Sequence, residues 1–211
     1  DNGFKDRTKA QELVNYLSDP LPAEGIVTSI ERKKEVKNPP LLFNLAELQN
    51  ECSKLFKISP DQTLAVVQEL YEKKLVTYPR TDARVLSSAI SKEIEKDIAS
   101  QVLEEKRYVN SGKSRYGDDK KLTDHYAIIP TGQGFGAMRG LSQTASRVYE
   151  VIARRFLSIF FPSAEYAKVS VSLNVKKELF SASFKVLSKE GYLSVMKNSF
   201  AKSQDSEEND E

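Results

Sequence analysis

Extended, alternating segments stand near both ends of this chain, and helical periodicity fills the stretch between them. That arrangement excludes an all-helical bundle and an all-β sandwich alike. Late in the chain, Ala167, Val169, Val171, Leu173 and Val175 alternate strictly with polar residues, and Phe180, Ala182, Phe184 and Val186 do the same. Period two marks strands. Early in the chain, Gly25 to Lys37 is β-branched first and charged later, and stops at Asn38-Pro39-Pro40, as a long, partly exposed strand would. Ahead of it, Lys5 to Leu17 has helical spacing and ends in the turn cluster Ser18-Asp19-Pro20. The expected fold is α+β: the two flanks pair into one antiparallel sheet domain (residues 1–40 and 163–198), interrupted by a mainly helical domain (residues 41–162). The acidic stretch at 199–211 is expected to be a disordered tail, with five acids against Lys202.

Within the helical stretch, Asn44 is placed to cap a helix carrying Leu45, Leu48, Cys52 and Leu55 on one face. Ser59, Pro60 and Gln62 form a capping-box pattern at the head of a second helix, where Leu64, Val67 and Tyr71 share a face. A β-prone piece, Leu75 to Tyr78, follows and is closed by Pro79. Two helices and then a strand suggest a winged-helix-like unit. Thr81 or Asp82 can cap the next helix, with Leu86, Ile90, Ile94 and Ile98 every fourth residue. Tyr108 to Lys121 reads as a polar loop with Asp118-Asp119 facing solvent, and Ser142 can cap a last helix reaching Phe160.

The segment richest in chemistry is Thr77-Tyr78-Pro79-Arg80-Thr81-Asp82. A phenol oxygen at a strand end can attack a phosphodiester and become a covalent ester. An arginine two residues on can neutralise the added charge with a planar, two-pronged contact, and a helix start would add backbone donors. A free phenol has a pKa near 10, so it needs a cation or base beside it. The plainer account of the same residues is packing, a turn and a cap. His125, the single histidine, stands in Asp124-His125-Tyr126-Ala127-Ile128-Ile129-Pro130-Thr131 and could hold a phosphate or move a proton, or simply lie on the surface. Arg147, Arg154 and Arg155 could track a nucleic-acid backbone from one helix, or form a solvated face. The alternating Gly132, Gly134 and Gly136 lack the frame of a nucleotide-binding loop. One histidine and one cysteine give no recognisable metal set, so no metal ligand is assigned.

Composition adds limits. The formal net charge is only +2 with 29% charged residues, so bulk charge gives little support to a polyanion binder. Cys52 stands alone, which forbids an intrachain disulfide and fits a reducing compartment. No apolar run approaches the roughly 20 residues of a membrane span. Opening on Asp1-Asn2-Gly3, the chain reads as cut from something longer.

Taken in order, these segments resemble the type IA DNA topoisomerases, topoisomerase III-like members above all. Tyr78-Pro79-Arg80-Thr81-Asp82 looks like the family's active-site motif, and Asp124 to Thr131 resembles its second catalytic-domain motif. Asn38-Pro39-Pro40-Leu41-Leu42-Phe43-Asn44-Leu45, Gln68-Glu69-Leu70-Tyr71-Glu72 and Tyr149-Glu150-Val151-Ile152-Ala153-Arg154-Arg155-Phe156-Leu157 match too, so the likeness covers roughly Gly25 to Met196. The resemblance implies that Tyr78 is the nucleophile, leaving a 5′-phosphotyrosine on one cut strand, with Arg80 on the scissile phosphate and His125 beside it. It implies that Gln68 lies near DNA and that Thr81 and Asp82, in the motif itself, contact DNA as well. The helical insert would be the lifting catalytic domain, and the flanking strands a β gate or arch. Single-stranded and negatively supercoiled DNA are the implied partners, in the cytoplasm of a bacterium, at the nucleoid. Two departures stand out. Ala83 occupies a position where the family often has serine. The family's Toprim domain, whose acidic Asp-x-Asp-x-Asp cluster serves Mg2+, has no counterpart in this sequence, so the Mg2+ ligands are expected outside the chain and the chain alone is expected not to relax DNA. The competing readings are a non-catalytic DNA-binding or partner-binding module, and a tyrosine recombinase or relaxase, the latter poorly served by one histidine.

Overall fold

The structure, a computed structural model, describes residues 3–19, 24–99, 116–122 and 124–200. The elements run α1 (Arg7–Ser18), β1 (Gly25–Lys37), α2 (Leu45–Phe56), α3 (Pro60–Glu72), α4 (Ser88–Ala99), α5 (Gln143–Ser158), β2 (Ala164–Val175), β3 (Glu178–Lys189) and α6 (Leu193–Met196), with 3-10 turns at Asp119–Lys121 and Phe135–Gly140. The chain divides into two compact units, one of residues 1–37 and 165–189, the other of residues 38–164 and 190–211.

In the first unit the strands lie in the order β1-β2-β3. β2 and β3 pair antiparallel, with Val169 opposite Phe184, Val171 opposite Ala182 and Leu173 opposite Phe180. Gly25 lies against Leu173 and Val175, while Lys34 meets Glu165 at 2.9 Å, so β1 also runs antiparallel to β2. Among the described residues the alternation produces strands but no enclosed core. α1 buries nothing, and Leu179 and Phe184 on β3 are 69% and 53% exposed.

In the second unit three caps, those of α2, α3 and α5, fall where the sequence places them. Asn44 accepts from the Glu47 N–H, Ser142 from Ala145, and Ser59 and Gln62 close a reciprocal capping box on α3. α2, α3 and α5 pack around Leu48, Cys52, Val67, Leu70, Val148 and Ile152. A second cluster gathers Leu42, Leu86, Tyr116, Ala127, Ile129, Ile159 and Phe160. Between the clusters run three extended threads joined by single bridges, Phe43 to Ile128 and Val76 to Pro130. Period-two geometry sends Ile128 and Phe43 into the first cluster, and Ala127, Ile129 and Leu42 into the second.

Several expectations change. α4 begins at Ser88, not at Thr81 or Asp82. Leu86 is held in a bridge to Gly117, and the Ala127 N–H donates to the Val85 carbonyl at 3.0 Å, which keeps the approach to α4 extended. Asp119, expected to face water only, accepts from the Ser88 N–H and hydroxyl at 2.8 and 2.6 Å and so caps that helix. The expected wing reduces to the Val76 bridge, and Leu55 is exposed. The loop at 108–115 and the tail at 201–211 lie outside the described residues. Ser199 and Phe200, counted with that tail in the sequence, are anchored instead. Ser199 donates to both Glu150 oxygens at 2.6 Å, and the Phe200 ring lies 5.3 Å from that of Phe56.

Candidate active site

α3 ends in a tight reversal. The Lys74 N–H donates to Tyr71 at 2.8 Å, the Leu75 N–H to Leu70 at 2.9 Å, and Lys74 itself adopts a left-handed φ of 61°. The chain then runs extended and is laced to the thread bearing His125. The Thr77 N–H donates to the Ile129 carbonyl, while its hydroxyl donates to the Ala127 carbonyl and accepts from the Ile129 N–H, each at 3.0 Å. The Thr131 N–H closes the ladder on Leu75 at 3.1 Å. Two segments 47 residues apart thus form one frame, and Tyr78 and His125 stand at its end.

The rings of Tyr78 and His125 lie 4.4 Å apart and inclined at 41°. Tyr71 meets Tyr78 edge on, at 5.5 Å and 80°. The three line a cavity of about 710 Å3 together with Glu72, Lys74 and Tyr126, among others. Burial pushes the Tyr126 phenol above its ordinary pKa, helped by Glu93, so it stays protonated. The Tyr78 hydroxyl has no hydrogen-bond partner among the described residues. Arg80 is exposed and makes no ion pair or hydrogen bond there either, so its guanidinium is uncommitted, although it does not line the cavity. Asp124 and His125 are both exposed and share no hydrogen bond.

Other sequence candidates fare differently. Thr81 is 6% exposed; its hydroxyl accepts from the Ala83 N–H and faces the His125 carbonyl, so it braces the site and offers nothing to a ligand. Asp82 is exposed. Gln68 donates to Glu72 at 3.2 Å on α3. The anticipated helix start beside Tyr78 is absent, because the first donors of α4 go to Asp119 and Ser87. The arginine helix is largely spent on structure. Arg155 is 7% exposed, donates to the Leu41 carbonyl at 3.1 Å and lies 4.1 Å over the Phe43 ring, and burial pulls its pKa down. It cannot track a polyanion from there. Arg154 binds Glu150 at 2.6 Å and the Val195 carbonyl at 3.0 Å, and Arg147 lies over the Phe200 ring.

Sequence reasoning missed Thr77 and the cavity-facing role of Tyr71. Helical spacing puts Tyr71 on one face with Leu64 and Val67, yet it stands in the last turn of α3, where that face leaves the core. Mg2+ seeks an octahedron of oxygens. The cavity supplies one carboxylate, Glu72, already bonded to Gln68, and among the described residues no group of three His, Cys, Asp or Glu could hold a metal. The residues here do not compose a magnesium site. No helix among the described residues is long and apolar enough to cross a membrane.

The sequence model of a DNA topoisomerase family matches residues 1–211. DNA topoisomerase 3 of Bacillus subtilis is 34% identical over 97% of this chain and 29% of its own length. DNA topoisomerase 3 of Staphylococcus haemolyticus is 35% identical over 90% of this chain and 27% of its own length. The full-length topoisomerase I of Thermotoga maritima superposes with a TM-score of 0.69 at 25% identity, covering 94% of this chain and 33% of that one. The chain therefore spans between 27% and 33% of the length of these relatives.

Proposed function

We propose, from the premise that this chain belongs to the type IA DNA topoisomerase family, that it carries the tyrosine with which a longer enzyme cuts and rejoins one DNA strand. The observation that carries this reading is the setting of Tyr78: a ring tilted against His125 in the wall of an open cavity, its hydroxyl without a hydrogen-bond partner among the described residues.

In this reading the Tyr78 phenol loses its proton and its oxygen attacks the phosphorus of a phosphodiester in single-stranded DNA. The P–O3′ bond breaks, the 3′ oxygen takes up a proton, and the 5′ phosphate remains esterified to tyrosine. One phosphoester replaces another, so the reverse attack by the 3′ hydroxyl reseals the strand without ATP. Arg80, uncommitted in this structure, neutralises charge on the phosphoryl oxygens. His125 orients the phenol and meets the phosphate. Gln68, Asp82 and the partly exposed Arg147 are the remaining candidates for DNA contact. Mg2+ would supply charge neutralisation at the phosphate; its ligands belong to other parts of the enzyme, and no step above passes through it. The sheet unit acts as a gate that lets a second strand through, on negatively supercoiled DNA in the bacterial cytoplasm. The chain alone does not relax plasmid.

The test is Tyr78→Phe in the complete protein. Single-stranded DNA binding is expected to persist, while plasmid relaxation and the covalent adduct disappear. Intact relaxation by that variant would favour a non-catalytic module and overturn the proposal.

A further inference from the structure

The reading above leaves Tyr71 without a task. It stands 38% exposed in the last turn of α3 and forms part of the cavity wall. Its hydroxyl takes part in no hydrogen bond among the described residues. What reaches Tyr78 is therefore the ring, edge on at 5.5 Å. A buried tyrosine of the core would hide its ring and bond its hydroxyl; this one does neither.

The backbone around it is tightly held. The reversal at Lys74 fixes the offset between Tyr71 and Tyr78. The Thr131 hydroxyl donates to the Lys74 carbonyl, and Gly134 packs its backbone on the same turn, so closely that an added Cβ would lie 2.3 Å from the Lys73 carbonyl oxygen. Tyr71 and Tyr78 thus ride on one frame. A phenol that must attack in line, hold a DNA end and then release it along the same path needs its ring held in one orientation. His125 supplies one contact and Tyr71 the other.

We propose that Tyr71 is a positioning residue for Tyr78, acting through its ring and not through its hydroxyl. The inference rests on the reading of Tyr78 as nucleophile. The complete protein is assayed on a single-stranded oligonucleotide at saturating concentration. The measurements are the rate of denaturant-trapped adduct formation, oligonucleotide affinity by fluorescence anisotropy, and melting temperature. Tyr71→Ala should slow adduct formation by about fivefold, the order expected for one lost edge-to-face contact, with affinity unchanged and the melting temperature lowered by no more than about 4 °C. Tyr71→Phe should keep the parental rate, and Tyr71→Leu, which fills the space without a ring, should be as slow as alanine. A parental rate in the alanine or leucine variant overturns the proposal, as does a phenylalanine variant as slow as alanine. A loss of affinity equal to the loss of rate also overturns it, because the ring would then be stacking on a base. Tyr78→Phe runs alongside: adduct formed by that variant sinks the nucleophile itself, whereas its absence beside a normal Tyr71→Ala sinks only the positioning role.

Discussion

Replacing Thr77 with valine keeps the branch at Cβ and nearly the same volume while removing one hydroxyl. That hydroxyl is the sole partner, among the described residues, of the Ala127 carbonyl and the Ile129 N–H, both at 3.0 Å. Ala127 is fully buried and Ile129 is 4% exposed, so water does not replace the lost contacts. Each orphaned buried group costs about 1–3 kcal/mol, and two of them set an expected loss of about 3 kcal/mol. For a chain of this length that lowers the melting temperature by roughly 6–12 °C. Urea unfolding followed by circular dichroism reads the change directly. Thr77→Ser keeps the hydroxyl and loses a methyl, so it should stay within about 1 kcal/mol of the parent. If valine proved neutral and serine the weaker variant, the polar lacing between the Tyr78 and His125 threads would not be what holds them in register, and apolar packing would take its place.

Two further outcomes follow from other contacts. Gly134 has a φ of +72° and its added Cβ would strike the Lys73 carbonyl, whereas Gly132, at +71°, faces open space; Gly134→Ala should therefore cost well over the roughly 1–2 kcal/mol of left-handed strain that Gly132→Ala pays, and equal melting temperatures would refute the close approach. Burial pushes the Cys52 thiol from 9.0 up to about 12. The unfolded thiol thus ionises first as pH rises; the stability it lends is complete below about pH 9 and fades between there and pH 12. Cys52→Ala should flatten the alkaline fall in melting temperature, and parallel curves would count against it.

What was legible in the sequence was what neighbours in sequence decide. Ser59, Pro60 and Gln62 interact across three residues, and α3 begins where they say. β1 spans Gly25–Lys37, bounded by its own composition. α4 was misplaced because its start is settled by Asp119, far along the chain, and because the Thr81 hydroxyl, a plausible cap in isolation, is taken up by Ala83 and faces His125. Arg155 was legible and overlooked. It follows Val148 and Ile152 at helical spacing, and that face is the buried one, so periodicity applied to the arginine itself would have placed it inside.

The nearness of Tyr78 to His125 has no such local signal. It depends on the three threads, and each thread is held by residues without chemistry of their own. Phe43 and Val76 sit between the bridges and the first core, while Ala127 and Ile129 fill the second. Alternation between two cores leaves the thread no freedom to slip by one residue, since a slip would exchange every buried side chain for its neighbour. The same constraint explains why Thr77 points its hydroxyl back into the frame and Tyr78, the next residue, turns its ring out to the cavity. The two aromatic rings meet because hydrophobic register, set on either side of them, admits one arrangement of the backbone that carries both.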